Sequence, residues 1–537
     1  MRFRLWASAT VALATVAAGA AAAVSVAGTS NSASQERSAA VALPARAVAV
    51  SHRGNRAPVR SCESLTSVSL PNVTINSAVL DPGDATTPRS CRVNATSTHP
   101  PLGDEVRIDI WLPVDNWNGR FQGTGGGGFS GGSPASLPAP LRDGYAAGST
   151  DTGHVGGSGS FALDADNRFR WIQIRDNAYL GIHEMTVVGK ALTDAYYGKG
   201  PRYSYFNGCS TGGRQGLSEA QRYPADYDGI LAGAPAINWQ KLHVAQLWGQ
   251  MSMNAAGNFV AQCKLAAATS AAVAACDTID DVADGVLEDP LRCHYDPAAL
   301  IGTVTPCGEI TSADADIIRK LWQGARRQSG EFMWYGLTRG ANLGALNNTT
   351  GTPLTGAPFF ITLEWFRYWL SQNPALDWLT INPDLYELYW DQSLEQWGAV
   401  IGTDNPDLSA FRKRGGKIVM WHGFSDQLIY PQGTIDYFER VQDELGASRT
   451  KGFLRLFMAP GVAHCGGGPG PPPSGQFDAL VRWVEKGDPP ETLDAIRLDA
   501  NGNVIRSRPL CQYPLVARYK GKGSTDDADN FRCSKHF

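Results

Sequence analysis

Ser210 lies in the run Gly208-Cys209-Ser210-Thr211-Gly212, and His464 lies in Ala463-His464-Cys465. A serine hydroxyl becomes a useful nucleophile only when a neighbouring base takes its proton, and histidine does this near neutral pH. A cysteine adjoins each of the two residues. A disulfide between Cys209 and Cys465 would hold their Cα atoms about 4.4–6.8 Å apart, which would bring Ser210 and His464 into one site despite the long chain between them. Closing so large a loop stabilises a fold by on the order of 5 kcal/mol on chain entropy, an upper figure. Cys209 is the weaker candidate nucleophile, because its side chain points away from that of Ser210 and the disulfide would consume its thiol.

The local pattern around Ser210 is a strand, a Gly-x-Ser-x-Gly turn and a helix. Glycine on both flanks lets the chain turn sharply enough to expose the serine at the end of a sheet. In folds of this kind the chain order is nucleophile, acid, base. The acid is sought after the strand Lys417-Ile418-Val419-Met420-Trp421, where Asp426 is the sole carboxylate of His422-Gly423-Phe424-Ser425-Asp426. His464 follows the next strand, Phe453-Leu454-Arg455-Leu456-Phe457. His422 is the rival base, but it precedes the acid and reads as a residue that packs or hydrogen-bonds at the strand end. Ester cleavage also needs N–H donors for the oxyanion. Thr211 supplies one, and the run Gly123-Thr124-Gly125-Gly126-Gly127-Gly128-Phe129 sits after an early strand where a second belongs. A flexible surface loop is the plain alternative for that run, and no lysine follows it as a phosphate loop requires.

These residues need a scaffold, and β-rich runs alternating with helical patterns point to a mainly parallel α/β sheet. The first region runs from about 106 to 236. It holds Val106–Leu112 with strict alternation, a helix over 182–197, a strand over 203–207, a helix over 213–222 and a strand over 227–232. The second begins near Phe411. The predicted fold is an α/β-hydrolase with a large inserted cap, its catalytic domain made of 61–236 and 408–537 and its lid of 237–407. Residues 1–27 read as a secretory signal peptide, with Arg2 and Arg4 before an alanine-rich apolar run, and 28–60 as a flexible leader. A membrane anchor is the alternative for the first of these.

The 537 residues are 43% hydrophobic with a formal net charge of −4, which gives no sign of a nucleic-acid partner. Ten cysteines, all after the leader, fit an oxidising compartment. Sequence does not fix their pairing. Local spacing suggests Cys62 with Cys91, Cys276 with Cys293 and Cys511 with Cys533, leaving Cys209 with Cys465 and Cys263 with Cys307.

Between Cys276 and Cys293 the chain crowds Asp277, Asp280, Asp281 and Asp284 into eight positions. Their repulsion would be relieved by a cation such as Ca²⁺, although the spacing is not that of an EF-hand. A solvated acidic turn is an equal alternative on these residues alone.

Taken together, Cys209-Ser210, Asp426 and His464-Cys465, with Gly-Cys-Ser-Thr-Gly-Gly-Arg-Gln, His-Gly-Phe-Ser-Asp and the glycine run, resemble the tannase and feruloyl esterase family of α/β-hydrolases. The resemblance runs from about Ser61 to the C-terminus. It implies a structural Ca²⁺ in the lid, held by Asp277, Asp280 and Asp284 side chains and the Val282 and Val286 carbonyls, with the Cys276–Cys293 bridge clamping the loop. It also implies that the lid sets acyl-group specificity. Trp334, Tyr335, Trp365, Phe366 and Trp369 either stack on an aromatic acid or, the favoured reading, form the lid's core. Arg339 and Arg367 are candidates to meet a carboxylate or phenol, and Asp151-Thr152-Gly153-His154 reads as structural support.

The expectation is a secreted serine carboxylic-ester hydrolase with no membrane attachment in its mature form and no organic cofactor. It acts on small aromatic-acid esters (hydroxycinnamate, gallate or a related benzoate). Ser210 is the nucleophile, His464 the base, Asp426 its orienting acid, and Gly127 and Thr211 the oxyanion donors. A peptidase or acyltransferase on the same scaffold, or a silent binding protein, are the alternatives from other classes. Oligomeric state is left open.

Overall fold

The computed structural model describes residues 57–535. The signal-peptide segment and nearly all of the leader lie outside the described residues. A nine-stranded sheet organises the molecule. Its strands are β1 (Val73–Asp81), β2 (Ser90–Ser97), β3 (Val106–Pro113), β4 (Arg120–Thr124), β5 (Ala146–Thr150), β6 (Tyr203–Cys209), β7 (Gly229–Gly233), β8 (Lys417–Gly423) and β9 (Leu454–Ala459). They lie in the order β1-β2-β3-β5-β4-β6-β7-β8-β9. The β1–β2, β2–β3 and β3–β5 pairs are antiparallel, and every pair from β5 through β9 is parallel.

The sequence explains this division. Strands β7 and β9 are buried along their whole length, as runs covered on both faces must be. In β3 the alternation holds: Val106, Ile108, Ile110 and Leu112 are fully buried, while Arg107 is exposed. The opposite face of β3 is partly covered by Arg92, whose guanidinium lies 4.0 Å over the Trp111 ring. Strands β1 and β2 extend the sheet beyond the region expected from sequence. Strand β1 carries only one buried side chain, Ala78, so it has no apolar rhythm to read.

Helices α1 (Gly181–Tyr197) and α2 (Thr211–Arg222) pack on the sheet beside the glycine run. Between β7 and β8 the chain forms helices α3 (Trp239–Ala256), α4 (Gln262–Cys276), α5 (Ser312–Gln323) and α6 (Pro383–Ile401). After β8 comes α7 (Pro431–Leu445). The segment between β7 and β8 has its own core, in which Trp239, Trp365, Trp369 and Trp397 are at most 2% exposed. That core continues into Phe129, at the end of the glycine run, and into Ile429 and Tyr430, just after Asp426. Phe129 stacks on Trp369 with ring centroids 5.8 Å apart and meets Trp239 edge-on at 5.6 Å.

The ten cysteines form five disulfides: Cys62–Cys91, Cys209–Cys465, Cys263–Cys307, Cys276–Cys293 and Cys511–Cys533. Among the described residues no helix is long and apolar enough to cross a membrane.

Candidate active site

Ser210 stands between the end of β6 and the start of α2 with φ 64° and ψ −123°. That backbone region is rarely occupied by a residue with a side chain and costs of order 1–3 kcal/mol. Hydrogen bonds hold it there. The Ser210 N–H donates to Gly233 O at 2.9 Å, and the Ser210 carbonyl accepts from the Arg214 and Ala236 N–H groups, each at 3.1 Å. The glycines at the turn are required by space, since a Cβ on Gly208 would lie 2.5 Å from the Gly212 carbonyl carbon.

The glycine run crosses immediately above. Its carbonyls from Gly126 to Phe129 are engaged: Gly126 O accepts from Gly212 N–H at 3.0 Å, Gly127 O from Ser130 N–H at 3.0 Å, Gly128 O from the Thr211 hydroxyl at 2.6 Å, and Phe129 O from Asn177 Nδ2 at 2.9 Å. Gln215 on α2 grips the loop at two points. Its Oε1 accepts from Gly126 N–H and its Nε2 donates to Gly131 O, both at 2.9 Å. With the carbonyls turned into these contacts, the Gly127 N–H has no acceptor among the described residues, and a Cβ at Gly127 would meet open space. The Thr211 N–H, in the first turn of α2, likewise has no intrahelical acceptor.

Asp426 is fully buried in the turn after β8. Its Oδ1 accepts from Leu428 N–H at 2.8 Å and Ile429 N–H at 2.9 Å. Its Oδ2 accepts from His464 Nδ1 at 2.8 Å and from His422 Nε2 at 3.0 Å. Burial alone would raise this carboxyl, but the charge of His464 and the hydrogen bonds from His422 and His464 bring it well below the usual carboxylate range. Burial also opposes the charged form of His464, yet the Asp426 carboxylate beside it lifts the imidazole above its ordinary value. The His464 N–H is held by Gln427 Oε1 at 3.1 Å.

His422, the rival base, has no exposed surface. Its Nε2–H is shared between Asp426 and the Ile429 carbonyl at 3.2 Å, so its Nδ1 accepts from the Thr434 hydroxyl at 2.8 Å. Both ring nitrogens are committed, and its contact is with the acid.

The Cys209–Cys465 disulfide sets the Cα atoms beside Ser210 and His464 5.9 Å apart across 256 residues of chain. The elbow on β6–α2 and the loop after β9 are thus covalently joined next to both groups.

The acidic loop lies beside the C-terminal strands β10 (Thr492–Leu498) and β11 (Val504–Cys511), with Val286 packed against Gly461 in the loop that leads to His464. Asp277 Oδ1 accepts from Gly285 N–H at 2.8 Å, and Asp280 Oδ1 from Val282 N–H at 3.1 Å. Asp284 is paired with Arg508 at 2.6 Å and Arg506 at 3.3 Å, two cations brought here from far along the chain. Burial, countered by the Val282 N–H and reinforced by Asp284 and Asp277, pushes Asp280 up to about 6. The buried carbonyls of Val282 and Val286 accept no hydrogen bond among the described residues. Carboxylates and unengaged carbonyls form an all-oxygen donor set that suits Ca²⁺.

The aromatic residues considered for substrate stacking are mostly interior. Trp365, Phe366 and Trp369 are fully buried and Trp334 is 5% exposed, all within the core between β7 and β8. Arg339 donates to Tyr295 O and Arg367 to Leu376 O, so both support local backbone. Asp151 accepts from Gly153 N–H at 2.8 Å and Arg107 N–H at 3.0 Å, and His154 stacks on Phe161. Asn177, Gln215 and Gln427 were not singled out in the sequence. Gln215 lies in the quoted run after Ser210, but nothing local says that it reaches a loop ninety residues earlier.

A sharp serine elbow at the sheet edge, beneath a glycine loop and a cap-like insertion, is the arrangement of an α/β-hydrolase, and the protein is a carboxylic-ester hydrolase. The sequence profile described as "Tannase and feruloyl esterase" matches residues 91–534. A "Probable feruloyl esterase" of Arthroderma benhamiae is 43% identical over 83% of this chain and 86% of its own. "Feruloyl esterase B" of Aspergillus niger is 32% identical over 79% and 83%. Among solved structures, feruloyl esterase B from Aspergillus oryzae has a TM-score of 0.77 at 28% identity, covering 88% of this chain and all of that one, and the tannin acyl hydrolase from Aspergillus niger has 0.78 at 25%, covering 88% and 94%. The chain belongs to the tannase and feruloyl esterase family.

Replacing Cys209 and Cys465 together by alanine removes the tether while leaving both neighbours intact. The double variant is expected to lose about 2–5 kcal/mol of stability in denaturant unfolding. Esterase kcat should fall by roughly 100-fold as His464 loses its placement.

Proposed function

We propose that this protein cleaves esters of aromatic acids (a hydroxycinnamate, a gallate or a related benzoate) through an acyl-enzyme on Ser210. The observation that carries the reading is the His464–Asp426 hydrogen bond of 2.8 Å, in a loop cross-linked to the residue beside the half-buried serine. The names of the relatives, feruloyl esterases and a tannin acyl hydrolase, support the aromatic acyl group.

Ser210 Oγ attacks the ester carbonyl carbon while His464 Nε2 takes the hydroxyl proton. The carbonyl oxygen, now negative, accepts from the Gly127 and Thr211 N–H groups. Because these donors are held by Gln215, Asn177 and the Thr211 hydroxyl before substrate arrives, little reorganisation accompanies the charge. Collapse of the adduct breaks the bond to the alcohol, which leaves with the proton from His464. Water then repeats the sequence on the acyl-enzyme, with His464 as base, and releases the acid. Asp426 keeps the imidazole oriented and favours its charged form. His422, bonded to the same carboxylate oxygen, fixes Asp426 from behind.

The segment 237–407 serves as the lid over this site. Asp277, Asp280 and Asp284, with the Val282 and Val286 carbonyls, would hold a structural Ca²⁺ there. The five disulfides support passage through an oxidising, secretory route.

The decisive experiment is hydrolysis of methyl ferulate, methyl gallate, the half-ester of PET and p-nitrophenyl acetate, beside matched amides and alcohol acceptors. At least one ester should be cleaved, and Ser210→Ala should lower its kcat by about 10⁴-fold or more. Unchanged turnover in that variant refutes the assignment, and faster turnover of amides, or transfer to alcohols, replaces it with a peptidase or acyltransferase.

His464 works as a base only when neutral, and its pKa is raised above the ordinary 6.5. The acid limb of kcat/KM should therefore lie above pH 6.5. Asp426→Asn removes the charge that raises it, so the limb should move to lower pH while kcat falls about 10⁴-fold.

Chelation of Ca²⁺ should lower Tm by about 3–5 °C, and added Ca²⁺ should restore it. Asp277→Asn should abolish this response in thermal unfolding.

A further inference from the structure

A second group of acidic side chains lies on the far side of the glycine run, in the joint between the β2–β3 loop and α1. His99 stands at its centre. Its Nε2 lies 2.6 Å from Glu184 Oε1 and its Nδ1 lies 2.5 Å from Asp104 Oδ2 and 3.9 Å from Asp176 Oδ1. The side chains of Asp104 and Asp176 have no exposed surface, and that of His99 is 22% exposed. Two stretches of chain supply these residues, the loop carrying His99 and Asp104 and the continuous run of the turn Asp176–Leu180 into helix α1 with Glu184, and the turn at Gly153 packs beside them. Gly153 packs so closely that a Cβ there would lie 2.9 Å from Asp176 Oδ2.

Three carboxylates surround one imidazole, and even a charged imidazolium offsets only one of them. Asp176 carries the sharper anomaly: neither of its buried oxygens has a hydrogen-bond partner. A buried carboxylate left in this way is costly, several kcal/mol by the usual measure. Arg175, next in the chain, does not relieve it, because its guanidinium turns to the Tyr179 hydroxyl. The other buried His–carboxylate group, His183, Glu219 and Asp226, differs in its cation: Glu219 too has both oxygens unpartnered, but Lys190, whose ammonium bonds the Asp226 backbone carbonyl, offsets its charge.

The tautomer logic points the same way. When Glu184 accepts the Nε2–H, the Nδ1 lone pair faces Asp104 and Asp176, and three electron-rich groups converge on one point. A carboxylate behind a histidine that presents its other nitrogen to two further carboxylates is the common arrangement around a bound transition-metal ion.

We propose that His99 Nδ1, Asp104 and Asp176 form a second, buried site for a divalent first-row transition cation such as Zn²⁺ or Mn²⁺, with Glu184 holding the imidazole from its far nitrogen. The mixed nitrogen and oxygen donors favour these ions over Ca²⁺, which takes oxygen alone. The ion ties the β2–β3 loop and α1 to the turn that begins at Asp176. The next residue in that turn, Asn177, carries the bond to Phe129 O, so the ion braces the glycine run from outside the reaction.

The test is elemental analysis and thermal unfolding of the full-length secreted protein. Chelator-treated protein is dialysed against Zn²⁺ or Mn²⁺ in the presence of Ca²⁺ and then freed of loose metal. Wild type should retain about one equivalent of transition metal, and Tm should rise by about 3 °C on its addition. Asp176→Asn and the milder His99→Gln should each lose that equivalent and that rise, while Asp277→Asn, in the acidic loop, should keep both. A wild type that retains under about a tenth of an equivalent and gains no Tm, under conditions where it binds Ca²⁺, overturns the proposal. So does an Asp176→Asn variant with unchanged metal content, or one more stable than metal-free and metal-loaded wild type alike, which would mark Asp176 as a protonated carboxyl.

Discussion

A carboxylate with no exposed surface, Asp426, is the constraint around which the site is built. Burying an ion is costly unless its lone pairs are filled by donors. Here four donors fill them: two backbone N–H groups from the turn that carries it, and one imidazole from each of two different places in the chain. The turn therefore cannot open without stranding a charge. His464 cannot swing away without leaving Oδ2 half-served. The segment between β7 and β8 reinforces this arrangement, for the Thr338 hydroxyl donates to Phe424 O and Gln246 Nε2 to Leu428 O, on either side of Asp426.

The glycine run is built on the opposite logic. Its glycines carry no side chain able to hold them, so its shape comes from Gln215 and Thr211 on α2, from Asn177 near α1, and from its own last residue, Phe129, anchored among tryptophans. Glycine provides close approach, and the neighbouring elements provide rigidity. The Gly127 N–H thus stays without an acceptor in a backbone whose carbonyls from Gly126 to Phe129 are engaged, an arrangement a freely moving loop would not maintain.

Much of this was legible in the sequence because the signals are local. The strand, Gly-x-Ser-x-Gly and helix around Ser210 occupy one continuous stretch, and the buried parallel strands read as short apolar runs. The boundaries of α1, β8 and β9 fall within a few residues of those expected. The antiparallel β1–β2 pair was not legible, since β1 is mostly exposed and polar. Nor were the contacts that depend on distant chain. Arg506 and Arg508 reach Asp284 from more than two hundred residues away, and His99, Asp104, Asp176 and Glu184 converge from segments with no shared pattern. The tryptophan-rich middle of the chain suggested either substrate stacking or a core. Full burial of Trp365 and Trp369 assigns those two to the core.

That core has one more implication, for how this scaffold diversifies. It is not closed on itself: Phe129, Phe161 and Ile174 come from before the insertion, and Ile429 and Tyr430 from after it. An insertion transplanted from a relative as 237–407 alone would meet a foreign floor at all of these positions. The packing unit is therefore a patchwork of three stretches of polypeptide, which must change in concert for recombination between relatives to keep the core filled.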